Sequence, residues 1–242
     1  MSFSKAKCVK IYKSRRHVLV TLLVIVIPFV FFLVFSRLVK IATASLFFDL
    51  AVSFWRLLVA YAIAAVIGWL LATSFYHGKR ATLALPIFDV LQSFPVFAAL
   101  PLVALFWGPS SSTVIFFLVI TVIWPIFFSI LSSLKLIKHD WQEAVAIAGL
   151  PTFDYLQLFI LPVTIPGLIT GSIIGLGEGW EALVATEIIV GAKPGLGGFF
   201  ALFAHNIPIT VFGIIGFLIF IFSLNKLIWL PLLEWSHRTM EE

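Results

Sequence analysis

Apolar runs long enough to cross a bilayer alternate along the chain with short polar connectors. The runs cover residues 18–36, 50–75, 86–107, 113–134, 163–190 and 209–230, each near the roughly 20 apolar residues that a spanning helix needs. The pattern predicts an all-α membrane protein of about six transmembrane helices, with no soluble domain left over. The first run follows a basic segment, residues 1–17, and is longer than the apolar part of a secretory signal. Arg37 and Lys40 also separate it from the small residues Ala42-Thr43-Ala44, so it reads as an uncleaved first span. The core runs over 50–230, and residues 231–242 form a short tail with His237 and Arg238. The third run is interrupted by Pro95 and Pro101 and the fourth by Pro125. Prolines kink such helices where neighbours satisfy the freed carbonyls, so Gln92 and Ser93 beside the first break either line a pathway or bond to adjacent helices.

Composition agrees. Hydrophobic residues make up 62% and charged residues 11%, against about 25% charged in soluble domains. The formal charge of +5 comes from basic ends and connectors and points to no nucleic-acid surface. Cys8 is the single cysteine, so no intrachain disulfide or thiolate metal cluster is expected. With the N-terminus inside, Lys5, Lys7, Lys10, Lys13, Arg15, Arg16, Lys79, Arg80, Lys135, Lys138 and Arg238 are cytoplasmic, and only Arg37, Lys40 and Lys193 lie outside. That bias satisfies the positive-inside rule and predicts both termini in the cytoplasm.

One polar interruption, residues 140–162, falls on a cytoplasmic connector. Asp140 is read as an N-cap with Glu143 three residues on, the spacing of a capping box. Trp141 to Ala148 then forms a short helix ended by Gly149, which accepts a left-handed conformation. Leu150-Pro151 turns the chain into a second short helix reaching about Phe159. The stretch resembles the EAA loop of ATP-binding-cassette (ABC) importer permeases, with Glu143, Ala144, Gly149, Leu161 and Pro162 in register. Val145 replaces the second alanine and Phe159 the isoleucine of that pattern.

The fifth run carries Gly167, Gly171, Gly175 and Gly179 at every fourth position, a small-residue ridge that lets another helix approach closely. Glu178, Glu181 and Glu187 lie on the same run. Ionisable groups within a span face the bundle interior or a wet cavity, so they either line a pathway or pair with Arg56 or backbone groups. Arg56 itself sits near the end of the second run, where it either snorkels to the headgroups or meets a carboxylate on another helix. Trp180, Val184, Ala185 and Glu187, together with the Ser53-to-Arg56 and Asp89-to-Pro95 stretches, resemble nitrate/taurine/sulfonate/bicarbonate-type permeases.

That resemblance implies a type I ABC importer permease fold and a subunit that forms the pathway for a small solute, an anion by the group's habit. It implies a second permease copy, two ABC ATPase subunits carrying ATP and Mg, an extracytoplasmic substrate-binding protein, and residence in a prokaryotic plasma (inner) membrane. The chain lacks a G-x-x-x-x-G-K-[ST] loop, so no cofactor is expected on it and hydrolysis falls to the partner. Glu178 and Glu181 would repel an anion; Arg56 nearby, protonated carboxyls, or a cationic or zwitterionic solute would each resolve the conflict. A membrane-embedded enzyme is disfavoured because His17, His77, His139, His205 and His237 all fall at boundaries or loops. An autonomous transporter using Glu178 and Glu181 would leave the EAA-like loop without a partner.

Overall fold

The computed structural model describes residues 3–76, 78–229 and 231–232, with side chains described from residue 21 onward except that of Arg80. Cys8, the basic side chains of the first segment, His77, and the tail carrying His237 and Arg238 lie outside these limits. The elements are all helical: α1 (Phe3–Val39), α2 (Thr43–Phe75), α3 (Gly78–Gln92), α4 (Val96–Trp107), α5 (Ser111–Lys135), α6 (His139–Ala148), α7 (Thr152–Asp154), α8 (Leu161–Val190), α9 (Leu196–Phe203) and α10 (Ile207–Leu224). π-Helical turns occupy Tyr155–Ile160 and Asn225–Trp229. Five helices are long and apolar enough to span a bilayer, and the bent pair Ala81–Gln92 and Val96–Trp107 adds a sixth if the two count as one span rather than as a re-entrant loop. Five of the expected runs are single spanning helices, and the third is instead two helices meeting at 76°. Pro95 sits at the start of α4 with no side-chain cap, whereas Pro86, Pro101, Pro125 and Pro166 stay inside their helices.

The described chain divides into two compact units. The first combines the chain up to Leu46 with Phe203–Pro231. In it α1 packs against α10 at Gly216, where an added Cβ would strike the Phe31 ring. Asn206 caps α10, its Oδ1 accepting the Ile209 N–H at 3.3 Å. The turn after α1 is closed by the Ile41 N–H on the Ser36 carbonyl at 3.0 Å and by Ser36 and Thr43 hydroxyls 2.7 Å apart.

The second unit, Phe47–Leu202, is built around α5. Val114, Leu118, Val122, Ile126, Phe127 and Ile130 on that helix are wholly buried. The glycine ridge of α8 lies against it. A Cβ at Gly171 would come within 2.7 Å of the Ile126 Cα and 2.8 Å of the Pro125 carbonyl, and one at Gly167 within 2.5 Å of the Ser129 carbonyl. α2 presents a second small-residue ridge that the sequence reading did not pick out. Ala60, Ala64 and Ala72 are wholly buried, and Gly68 lies between them with its missing Cβ 3.4 Å from the Ile123 carbonyl. Close approach replaces side-chain bulk with backbone-to-backbone dispersion contact, the mode by which helices associate when lipid offers no hydrophobic drive. Hydroxyls and an indole fasten α2 to α8: Tyr61 to Ser172 at 2.8 Å, and the Trp69 Nε1–H on Thr164 Oγ1 at 2.9 Å.

This packing predicts a contrast along one helix. Gly171→Val must displace the backbone of α5 and is expected to lower stability by about 1–3 kcal/mol, the cost of overpacking. Gly177→Ala adds a methyl where nothing lies within 4 Å, and should leave the melting temperature of the detergent-purified protein unchanged. Equal melting of the two variants would contradict the ridge.

Candidate functional site

Three features of the second unit bear on function: an exposed loop, a buried polar cluster and a groove. The loop begins with α6, none of whose side chains is buried. Its N-cap is Lys138 rather than Asp140, with φ −64° and ψ 142° and no side-chain cap bond. The expected capping box is therefore absent. Asp140 instead sits in the first turn, where a carboxylate favours the helix dipole, and Glu143 Oε1 lies 3.1 Å from His139 Nε2, one turn back. That pair is exposed on both sides and adds little stability, so Glu143 stays accessible. Gly149 ends the helix in the left-handed region, φ 59° and ψ 36°, as expected. Pro151 stands just before α7 rather than inside it.

The second short helix expected to end near Phe159 does not end. α7, the π turn and α8 form one continuous span, Thr152–Val190, of 39 residues. At 1.5 Å per residue this rod is about 58 Å long, nearly twice a bilayer's hydrocarbon thickness of roughly 30 Å. Pro162 accounts for the widened turn before it: it has no N–H for the Leu158 carbonyl, and its ring crowds that oxygen. Leu161 is 44% exposed at the same junction, and Ala144 and Pro162 are exposed too. Trp141, Ile147, Phe153 and Leu158 also stand exposed around the loop, an apolar surface of the kind that marks a docking site.

The polar cluster is where Arg56 and Glu187 meet. Arg56 does not snorkel: it is 3% exposed, its Nη1 bonds Glu187 Oε1 at 2.5 Å, and its Nε–H donates to Ser111 Oγ at 3.1 Å. Ser53 Oγ donates to the same carboxylate at 2.8 Å and accepts the Leu196 N–H at 2.8 Å. Glu187 Oε2 accepts the Gly197 N–H at 2.9 Å, and Asp49 Oδ1 the Gly195 N–H at 3.0 Å. The first N–H groups of α9, which have no partner inside their own helix, are thus bonded by side chains of α2 and α8. The Lys193-to-Gly198 stretch is glycine-rich for this reason. A Cβ at Gly195 would lie 2.7 Å from the Glu187 oxygens, and one at Gly197 would collide with Glu187 Cβ. What reads in sequence as an outer loop, 191–206, therefore contains a helix anchored by an ion pair. Of the pattern Trp180, Val184, Ala185 and Glu187, Trp180 is also buried, its ring stacked 6.0 Å from Phe54.

The groove has a volume of about 730 Å³ and lies between the α3–α4 break, α5 and α8. Gln92, Ser93 and Glu178, three of the sequence-derived pathway candidates, line it together. Glu181, one turn farther along α8, is exposed but outside the lining. Arg56 and Glu187 are not part of it and belong to the buried cluster. The α5 wall, Thr121, Trp124, Pro125, Phe128, Ser129 and Ser132, was missed by sequence reasoning. Its signal was there: small polar residues at 121, 129 and 132 recur at helical spacing on one face of an otherwise apolar run.

Comparison with known proteins agrees with this architecture. The family profile described as "Binding-protein-dependent transport system inner membrane component" matches residues 64–230. The nitrate import permease protein of Leptolyngbya laminosa is 33% identical over 185 residues, which cover 72% of this chain and 65% of that protein. The nitrate import permease protein of Synechocystis sp. is 32% identical over 188 residues, 73% of this chain and 67% of the relative. The taurine transport system permease protein of Escherichia coli is 30% identical over 157 residues, 64% and 56% respectively. The chain thus spans about two thirds of these relatives' length or less. The helical architecture and the match over most of the chain place this protein in the family of binding-protein-dependent transport system inner membrane components, as a multi-pass membrane protein.

Proposed function

We propose that this chain is the permease subunit of an ATP-driven importer, and that two copies form a translocation pathway served by two ABC ATPase subunits. ATP and Mg act on those partners, and an extracytoplasmic binding protein delivers the solute. The loop at 140–162 and both termini face the cytoplasm. The cargo is a small solute bearing an anionic group, of the class that nitrate, sulfonate, taurine and bicarbonate represent.

One observation carries the reading: an exposed helix, α6, is joined by the three-residue turn Gly149-Leu150-Pro151, with Gly149 left-handed, to a rod that reaches the groove without a break. Glu143, Ala144 and Gly149 present α6 to the ATPase, and Leu161 and Pro162 mark where the rod begins. Displacement of α6 is delivered along α8 to Glu178 because the glycine ridge locks that rod to α5. ATP then favours whichever state its bound ATPase dimer fits better. Gln92, Ser93 and Glu178 contribute to the pathway wall, Glu181 extends it, and Arg56 with Glu187 holds its outer end in shape.

Native mass spectrometry of the protein gently extracted from its own membranes tests this. Two copies with two ABC ATPase subunits are expected. One copy beside a different permease would keep the mechanism with a heteromeric pathway. A stable assembly lacking any ATPase, even after crosslinking, would overturn the importer reading.

A further inference from the structure

We propose that the solute passing this groove carries a cationic nitrogen, so that an anionic cargo is a zwitterion. The proposal rests on reading the groove as part of the translocation pathway. Its first support is the balance of charge. Glu178 is on the wall, Asp89 is bonded to Gln92 on the wall, and no lysine, arginine or histidine lines it among the described residues. Arg56, the cation that could have offset these carboxylates, is buried and committed to Glu187 and Ser111.

The second support is the direction of the hydrogen bonds. A hydroxyl has one proton to give and two lone pairs to receive. Ser93 donates its proton to the Asp89 carbonyl at 3.1 Å, Thr121 to the Phe117 carbonyl at 3.0 Å, and Ser132 to the Phe128 carbonyl at 2.8 Å. The Gln92 amide gives an N–H to Asp89 Oδ1 at 2.7 Å. Four of the protons that an anion could use are therefore spent inside the protein, and the second Gln92 N–H and the Trp124 Nε1–H, which has no partner among the described residues, remain as donors. Bare nitrate or bicarbonate would meet the Glu178 carboxylate with few N–H groups, and no cation among the described residues, to offset it.

The third support is the apolar lining. Phe94, Phe97, Trp124 and Phe128 also line the groove, and aromatic faces attract an ammonium through their quadrupole. A metal cation is not the fit, since among the described residues no group of three or more His, Cys, Asp or Glu converges. One carboxylate, outward-facing hydroxyl lone pairs and aromatic faces together suit an organic ammonium.

The test uses matched probes on cells carrying the intact transporter and on the same cells lacking this chain. Taurine is set against ethanesulfonate, β-alanine against propionate, and nitrate is offered alone. Chain-dependent uptake of an ammonium-bearing probe in preference to its deaminated partner is expected. Glu178→Gln should raise its KM about tenfold or more with the maximal rate retained, the loss of one charge-assisted hydrogen bond, and Glu178→Asp should recover part of it. Chain-dependent uptake of nitrate, equal uptake within both pairs, no uptake of either ammonium-bearing probe, or an unmoved KM in Glu178→Gln would each overturn the proposal. None of these outcomes touches the importer reading, which falls only if no ATPase accompanies the protein.

Discussion

Gly149→Val is expected to abolish ATP-driven uptake while the protein still inserts in the membrane at its normal level. The reason is conformational rather than steric. No atom lies within 4 Å of where a Cβ at Gly149 would be, but its φ of +59° is one that L side chains rarely adopt. A β-branched residue there carries roughly 1–2 kcal/mol of backbone strain and further loss of χ1 freedom. α6 has no buried side chain to hold it in place, so the strain is relieved by moving or unwinding the helix. Little else in the molecule needs to change, because the rod from Thr152 is secured separately against α5. Gly149→Asn should retain most uptake, since asparagine visits the left-handed region more readily. Uptake and ATPase stimulation in membranes of matched protein content decide the matter. Normal uptake by the valine variant would remove the loop from any coupling role.

Much of this was legible from the chain, and the limits have physical causes. The spans follow from apolar length, and Gly149 follows from its place at the end of a short helix. The glycine ridge was readable because its period of four is a helical one. The α2 ridge of Ala60, Ala64, Gly68 and Ala72 has the same period, yet alanine is common in any helix and gives no contrast. The break at Pro95 was seen as an interruption, but not as two helices at 76°. Pro28, Pro86, Pro101, Pro125 and Pro166 sit inside helices, and what separates the cases is whether neighbours satisfy the freed carbonyls. The capping box at Asp140 failed because Lys138 already takes the extended conformation a cap requires, two residues ahead of the expected cap. The second loop helix failed because Pro162 widens a turn without ending it. Arg56 and Glu187 were both recognised as costly charges, but they stand 131 residues apart, and only the fold selects that pairing over snorkelling or over Glu178. Thr121, Ser129 and Ser132 were passed over because isolated hydroxyls in a span normally bond their own backbone. Those at 121 and 132 do so, which leaves their lone pairs rather than their protons to the groove.

Replacing one member of the Arg56–Glu187 pair is expected to cost more stability than replacing both. Glu187→Ala leaves a guanidinium that is 4% exposed without its counter-charge, and deprives the Gly197 N–H of its acceptor. Breaking a buried pair from one side costs about 3–5 kcal/mol, a large part of the 5–15 kcal/mol that typically separates folded from unfolded protein. Arg56→Ala should be comparably severe, since it strands a carboxylate that is wholly buried. Arg56→Met with Glu187→Met removes both charges at similar volume and should recover part of the loss. It should not recover all of it, because the α9 N-terminus keeps Ser53 and Asp49 but loses the bond at Gly197. Thermal unfolding in detergent gives the energies, and proteolysis within residues 191–195 reports whether α9 has been released. A double variant as damaged as the sum of the singles would mean that the two residues act independently. It would then be the hydrogen bonds to the α9 backbone, rather than the ion pair, that hold this end of the protein together.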